Sequence, residues 1–172
     1  MTHHESEISG WIRGRLPDAW FTGPATVTTD REEILVVGTL AAPEGIEGEA
    51  DGPEATSAAK GRISRFREDT RDERIHIARE AEHRFGRKVA WGAECGPVSA
   101  VFTNIAVPVM TRLRQPERLT LDTLVDAGVA RSRADALAWC VRLVGEHTED
   151  WLGKLREAMT EVQRVREEGP GV

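Results

Sequence analysis

The chain has 172 residues, of which 40% are hydrophobic and 30% are charged, so it is long enough to bury a core as one domain or as two small ones. Its formal net charge of −6 argues against a protein that coats nucleic acid by bulk electrostatics, and any DNA binding must then come from a local basic patch. Because there is no apolar stretch of about 18 residues and no secretory signal pattern at the start, we expect a soluble cytoplasmic protein with Cys95 and Cys140 reduced.

The first third of the chain predicts a short helix followed by a β-hairpin. Residues 9–16 favour a short helix, which Pro17 would end. Residues 26–29 and 33–40 are rich in Val, Ile and Thr, and the short polar stretch between them is typical of a turn that joins two strands. Residues 41–54 then carry five acidic side chains among glycines and prolines, which predicts a mobile acidic loop.

One long helix is predicted over residues 57–85. Steps of three and four residues place one stripe of side chains on the same face, namely Ile63, Phe66, Thr70, Ile77, Ala81 and Phe85. Gly86 is placed to end this helix, and residues 88–95 and 98–105 predict two further strands around Gly96-Pro97. We therefore expect residues 1–105 to form an α+β domain with a small antiparallel sheet and a long helix.

Polar side chains on the predicted long helix suggest two further kinds of site. His76, Glu80 and His83 lie at helical spacing, but Cys95 is the one obvious additional ligand, so we expect no metal. The arginines from Arg62 to Arg87 alternate with acidic residues, which is typical of ion pairs on a solvated helix face. Arg74 in particular is expected to tolerate replacement by alanine with little effect on DNA affinity.

Residues 109–144 show a strand, helix, turn and capped helix in succession. A short strand is predicted to end at Gln115, and Pro116 suits the first turn of a helix because it has no N–H to donate. Gly128 is a natural stop for that helix. Ser132, with Asp135 three residues later, is typical of the start of a second helix.

This pattern resembles the ribbon-helix-helix superfamily of Arc- and MetJ-type repressors over roughly residues 107–146. The resemblance implies that two chains pair their strands into an antiparallel ribbon that enters the major groove of DNA. It therefore implies an obligatory homodimer with double-stranded DNA as its partner. Residues 106–172 would form this dimerisation and DNA-binding domain, completed by an amphipathic helix after Gly145 that ends before Gly169.

The resemblance also implies which residues touch DNA. The outward-facing strand residues would read base edges, and these are Met110, Arg112 and Arg114, while Thr111 and Leu113 would face the helices. The start of the second helix would hold a phosphate through Arg131, Ser132 and Arg133. Arginine suits both tasks because it donates two hydrogen bonds to guanine or to phosphate.

The remaining patterns do not indicate catalysis. The chain has no glycine-rich phosphate loop and no Gly-x-Ser-x-Gly motif, so we expect no enzyme activity and no cofactor. The front domain would then sense a small molecule, contact a protein or enlarge the oligomer.

Two hypotheses of different class remain, a DNA-binding regulator and an interaction module in which residues 109–146 only dimerise. An exposed ribbon that carries Arg112 and Arg114 favours the regulator. A strand interior to a larger sheet favours the module.

Overall fold

The computed structural model describes residues 3–45, 52–103 and 105–168. The chain divides into two compact units, of which the first covers His3–Val107 and the second begins at Pro108. The first unit contains helices and a four-stranded sheet, and the described part of the second contains helices. The protein therefore has an α+β fold, as the sequence predicts.

The first unit begins with helix α1 (His3–Arg15) and the strands β1 (Thr26–Thr29) and β2 (Glu33–Thr39). Helix α1 is longer than predicted because Ile8 and Ile12, one turn apart, are both completely buried and hold it on the core. The two strands form the predicted antiparallel hairpin. Its turn is held by Asp30, whose Oδ1 accepts the backbone N–H groups of Glu32 and Glu33 at 2.8 Å.

The centre of the sheet is parallel, which corrects the prediction of an antiparallel sheet. Strand β3 (Lys88–Cys95) pairs with β2 in parallel, and β4 (Val98–Val101) pairs with β3 in antiparallel fashion. The helices between β2 and β3 return the chain to the end of the sheet at which β2 begins. Strand β3 therefore runs in the same direction as β2. Strand β4 is also shorter than predicted, since it ends at Val101 and not at residue 105.

The predicted long helix is two helices, α2 (Pro53–Asp69) and α3 (Arg71–Phe85). The break lies at Thr70, whose hydroxyl donates to the carbonyl of Phe66 at 2.6 Å. Arg74 stabilises the break, because its Nε donates to Thr70 Oγ1 at 3.0 Å and its Nη2 donates to the Arg67 carbonyl at 2.6 Å. That carbonyl would otherwise meet the N–H of Arg71 in an unbroken helix.

The interior of the first unit lies between the sheet and its helices. The predicted helical stripe is buried at Ile63, Phe66, Ile77 and Ala81, although it spans two helices. Gly86 ends α3 in the left-handed conformation with φ of 69°, as predicted. Of the predicted mobile loop, residues 46–51 lie outside the described residues, and its last two residues belong to α2.

The described residues of the second unit form three helices, α4 (Gln115–Asp126), α5 (Arg133–His147) and α6 (Glu149–Glu168). The first of these ends near Gly128, whose φ of 75° suits glycine. The predicted end of the last helix at Gly169 lies outside the described residues. Three residues are buried in the described part of this unit, namely Leu121, Ala130 and Ala136.

Candidate nucleic-acid interface

The segment predicted as a DNA-reading strand forms no strand in one copy of the chain. None of the described residues 105–114 lies in a strand, and Gln115 begins α4. The prediction of a strand that ends at Gln115 is therefore wrong for the isolated chain. A lone extended segment lacks the neighbouring strand that would pair most of its backbone N–H and C=O groups, and a two-stranded ribbon would need a second copy to supply it.

The three proposed base-reading side chains all lie on the surface. Met110 is 96% exposed, so it contributes nothing to the core of its own chain. Arg112 and Arg114 are also exposed, and no ion pair joins either of them to another described residue. Leu113 packs partly against the helices, as expected, whereas Thr111 is exposed, which corrects the expectation that it faces them.

The start of α5 has the predicted cap. Ser132 Oγ accepts the backbone N–H of Asp135 at 3.2 Å, and Asp135 Oδ2 accepts the backbone N–H of Arg131 at 3.0 Å. The Arg131 N–H and, secondarily, its guanidinium hold the pKa of Asp135 below its ordinary value. Both hydrogen bonds fix the backbone at the point where the resemblance places a phosphate.

Arg133 is bound to a carboxylate of its own chain. Its Nε and Nη2 donate to the two carboxylate oxygens of Asp122 at 2.6 and 2.7 Å. This pairing lowers the pKa of Asp122 and raises the pKa of Arg133, first through the hydrogen bonds and then through charge attraction. Asp122 has no signal in the sequence as a partner of Arg133, because a pair that spans the turn between α4 and α5 follows no periodic pattern.

A groove of about 370 Å³ lies between the segment before α4 and the two helices that follow it. Apolar side chains line much of it, including Val109, Met110, Leu113 and Leu137. Arg118 and Arg133 lie at the same groove, and Arg118 Nη1 donates to the carbonyl of Leu113 at 2.8 Å. Apolar side chains and two arginines therefore line the same groove.

The second unit leaves many large apolar side chains uncovered. In the described residues these are Val109, Met110, Leu119, Val129, Val141, Val144, Trp151, Leu155, Met159, Val162 and Val165. On α6 several of them lie at steps of three and four residues and therefore share one face. Exposed apolar faces on helices are typical of interaction surfaces in general.

Of the residues that the sequence suggested as metal ligands, His76 and Glu80 form an ion pair with each other. Glu80 lies between His76 Nε2 at 3.0 Å and Arg15 Nε at 2.7 Å, and the arginine bond is the main cause of its lowered pKa. In the part of the chain that the structure describes, no three residues of the His, Cys, Asp or Glu type are grouped to hold a metal.

The fold and this surface define an α+β protein whose helical second unit carries exposed arginines beside an uncovered apolar face. A family model for the N-terminal domain of Rv1265-like proteins matches residues 6–101, and one for the Mb1296 C-terminal domain matches residues 114–166. The chain therefore belongs to the Rv1265-like family. Met110 and Arg112 lie between the two matched regions, and Arg114 is the first residue of the second.

Two mycobacterial proteins are close relatives in sequence. The uncharacterized proteins Mb1296 of Mycobacterium bovis and Rv1265 of Mycobacterium tuberculosis are each 61% identical to this chain over 167 residues. The match covers 96% of this chain and 71% of each relative. No solved structure matches the chain. Every helix among the described residues is too short or too polar to cross a membrane.

Proposed function

We propose that this protein is a cytoplasmic homodimer that binds specific double-stranded DNA sequences and regulates transcription, without enzyme activity or a cofactor. One observation carries the proposal. Within the described residues, the segment 105–114 pairs with no strand, presents Arg112 and Arg114 to solvent, and lies beside apolar side chains that are left exposed.

The need for a second copy follows from the small core of the second unit. Three buried side chains provide too little hydrophobic stabilisation for a unit of this length, whereas its exposed apolar side chains are numerous. A second copy presents the same apolar surface, and a two-fold axis lets identical surfaces cover each other. The unpaired segment could gain the backbone hydrogen bonds of a two-stranded ribbon in the same step.

The proposed DNA contacts follow from the chemistry of the exposed side chains. Residues 106–133 carry five basic and three acidic groups, so the excess positive charge is local while the whole chain stays acidic. A dimer would present Arg112 and Arg114 twice, at symmetric positions, for hydrogen bonds to guanine or phosphate. Ser132 and Arg131, at the start of α5, would position the DNA backbone.

The test is selection of bound fragments from genomic DNA, followed by titration of variants at fixed salt. Arg112→Ala and Arg114→Ala should each weaken specific binding, because each bidentate contact contributes about 1–3 kcal/mol and is lost in both half-sites. Arg79→Ala is the matched control, because Arg79 is exposed on α3 in the other unit. If the wild-type dimer retains no DNA at about 100 mM salt, the proposal is wrong.

A second candidate is an interaction module in which residues 109–146 only dimerise. The observation in its favour is that Arg131 and Arg133 already pair with Asp135 and Asp122, which reduces the charge available for phosphate. Under this alternative, the dimer forms normally and the Arg112→Ala and Arg114→Ala variants behave as the wild type in every DNA assay.

A further inference from the structure

Three arginines converge on one cavity in the first unit, at the break between α2 and α3. Arg67, Arg71 and Arg74 line a cavity of about 440 Å³ together with Glu68, Ser64 and Phe102, and we call this site the arginine groove. Its three positive charges and one negative charge leave a net charge of +2. In the sequence, the alternation of these arginines with acidic residues predicts a solvated helix face instead.

The central arginine is buried without a carboxylate partner. Arg74 is only 7% exposed, and all its hydrogen bonds within the described residues go to neutral acceptors, Thr70 Oγ1 and the Arg67 carbonyl. Burial lowers its pKa, and the positive charges of Arg67 and Arg71 add to the effect. A buried cation among like charges costs free energy unless an anion compensates it.

The Arg74 guanidinium retains capacity for such an anion. Its Nε and Nη2 are used, while its Nη1 makes no hydrogen bond to any described residue. Its carbon Cζ lies 5.3 Å from the ring centre of Phe102, so the ring holds the planar group in one orientation. Arg67 has no ion pair among the described residues, and Arg71 has only an exposed contact of 3.8 Å with Asp72.

We propose that the arginine groove binds a small molecule that carries a phosphate group. A phosphate dianion matches the net charge of the groove, and arginine binds phosphate oxygens in bidentate fashion. The cavity volume lies in the range of small-molecule sites, and Ile75 and Phe102 offer an apolar wall for the rest of the ligand. This site belongs to the first unit and does not depend on DNA binding by the second.

The test is calorimetric titration of the full chain with sodium pyrophosphate and with glycerol 3-phosphate, at constant ionic strength, with acetate as the control anion. We expect saturable binding of at least one of the two phosphates, one per chain, and no binding of acetate. The double variant Arg67→Ala/Arg71→Ala should bind that phosphate at least about tenfold more weakly. The double variant Arg65→Ala/Arg79→Ala is the matched control, because it removes two exposed arginines of the same helices that do not line the groove.

Three outcomes would overturn the proposal. The first is the absence of saturable binding of either phosphate to the wild-type chain. The second is an equal loss of affinity in the two double variants, since this would show diffuse electrostatic attraction and not a site. The third is a loss of DNA retention in Arg67→Ala/Arg71→Ala with unchanged phosphate affinity, which would assign the arginines to the DNA backbone.

Discussion

Asp122 controls the availability of Arg133, because it binds the arginine through two short hydrogen bonds. If Arg133 contacts a DNA phosphate, the carboxylate competes with that phosphate for the same guanidinium. Asp122→Asn should then raise DNA affinity and steepen the dependence of log affinity on log salt by about one for each half-site. Titration at several salt concentrations measures both effects.

The control for this prediction is Asp126→Asn, which removes an equal charge from the same helix at an exposed position. An equal gain of affinity in both variants would point to net charge alone and would contradict a specific contact by Arg133.

Protonation of Asp135 makes the stability of the second unit depend on pH. Its pKa is lowered in the folded protein, mainly by the backbone N–H of Arg131. A lowered pKa means that its stabilisation is fully present above the unfolded value near 3.8 and is lost as the pH falls through the folded value. Asp135→Asn should therefore be less stable than the wild type at neutral pH, and the difference should shrink below about pH 4. Urea unfolding at a series of pH values measures this, and a constant difference would contradict it.

At the scale of elements, the junction of α2 and α3 depends on one side chain. Arg74→Met keeps much of the apolar stem but leaves the Arg67 carbonyl and the Thr70 hydroxyl without their donor. We expect the free energy of unfolding to fall by about 1 kcal/mol or more, because the cost of two unsatisfied acceptors exceeds the relief from removing a buried charge. Arg79→Met, on the same helix but exposed, should change it little.

Equal stability of these two variants in urea unfolding would show that the junction does not need Arg74. Arg79 serves as the control in DNA binding because it is exposed, whereas Arg74 is buried and its replacement would alter the fold as well.

At the scale of the whole molecule, α6 supplies a test of dimerisation. Leu155 lies in the apolar stripe of this helix, so Leu155→Lys places a charge in the proposed interface between two copies. Burial of that unpaired charge should convert the dimer to monomer at micromolar concentration, as sedimentation would show. Thr160→Lys adds the same charge on another side of the helix and should remain a dimer. A wild-type chain that sediments as a monomer would contradict both the dimer and the ribbon.

The sequence alone predicted those turns and helix ends that depend on residues close together in the chain. The hairpin around Asp30, the end of α3 at Gly86 and the start of α5 at Ser132 each depend on residues within a few positions of one another. The α+β class follows likewise from the order of alternating and helical patterns. The outward position of Arg112 and Arg114 was expected from the resemblance to ribbon-helix-helix proteins, and both side chains are exposed.

Only the tertiary structure decided which distant groups meet. The parallel pairing of β2 with β3 and the contact of Arg133 with Asp122 join residues of different elements, so their proximity depends on packing. Local propensity assigned one continuous helix to residues 57–85, because the stripe of buried residues persists across the break. The helix breaks because the buried Arg74 side chain donates a hydrogen bond to the Arg67 carbonyl in place of the backbone N–H of Arg71. No periodic pattern in the sequence predicts this hydrogen bond.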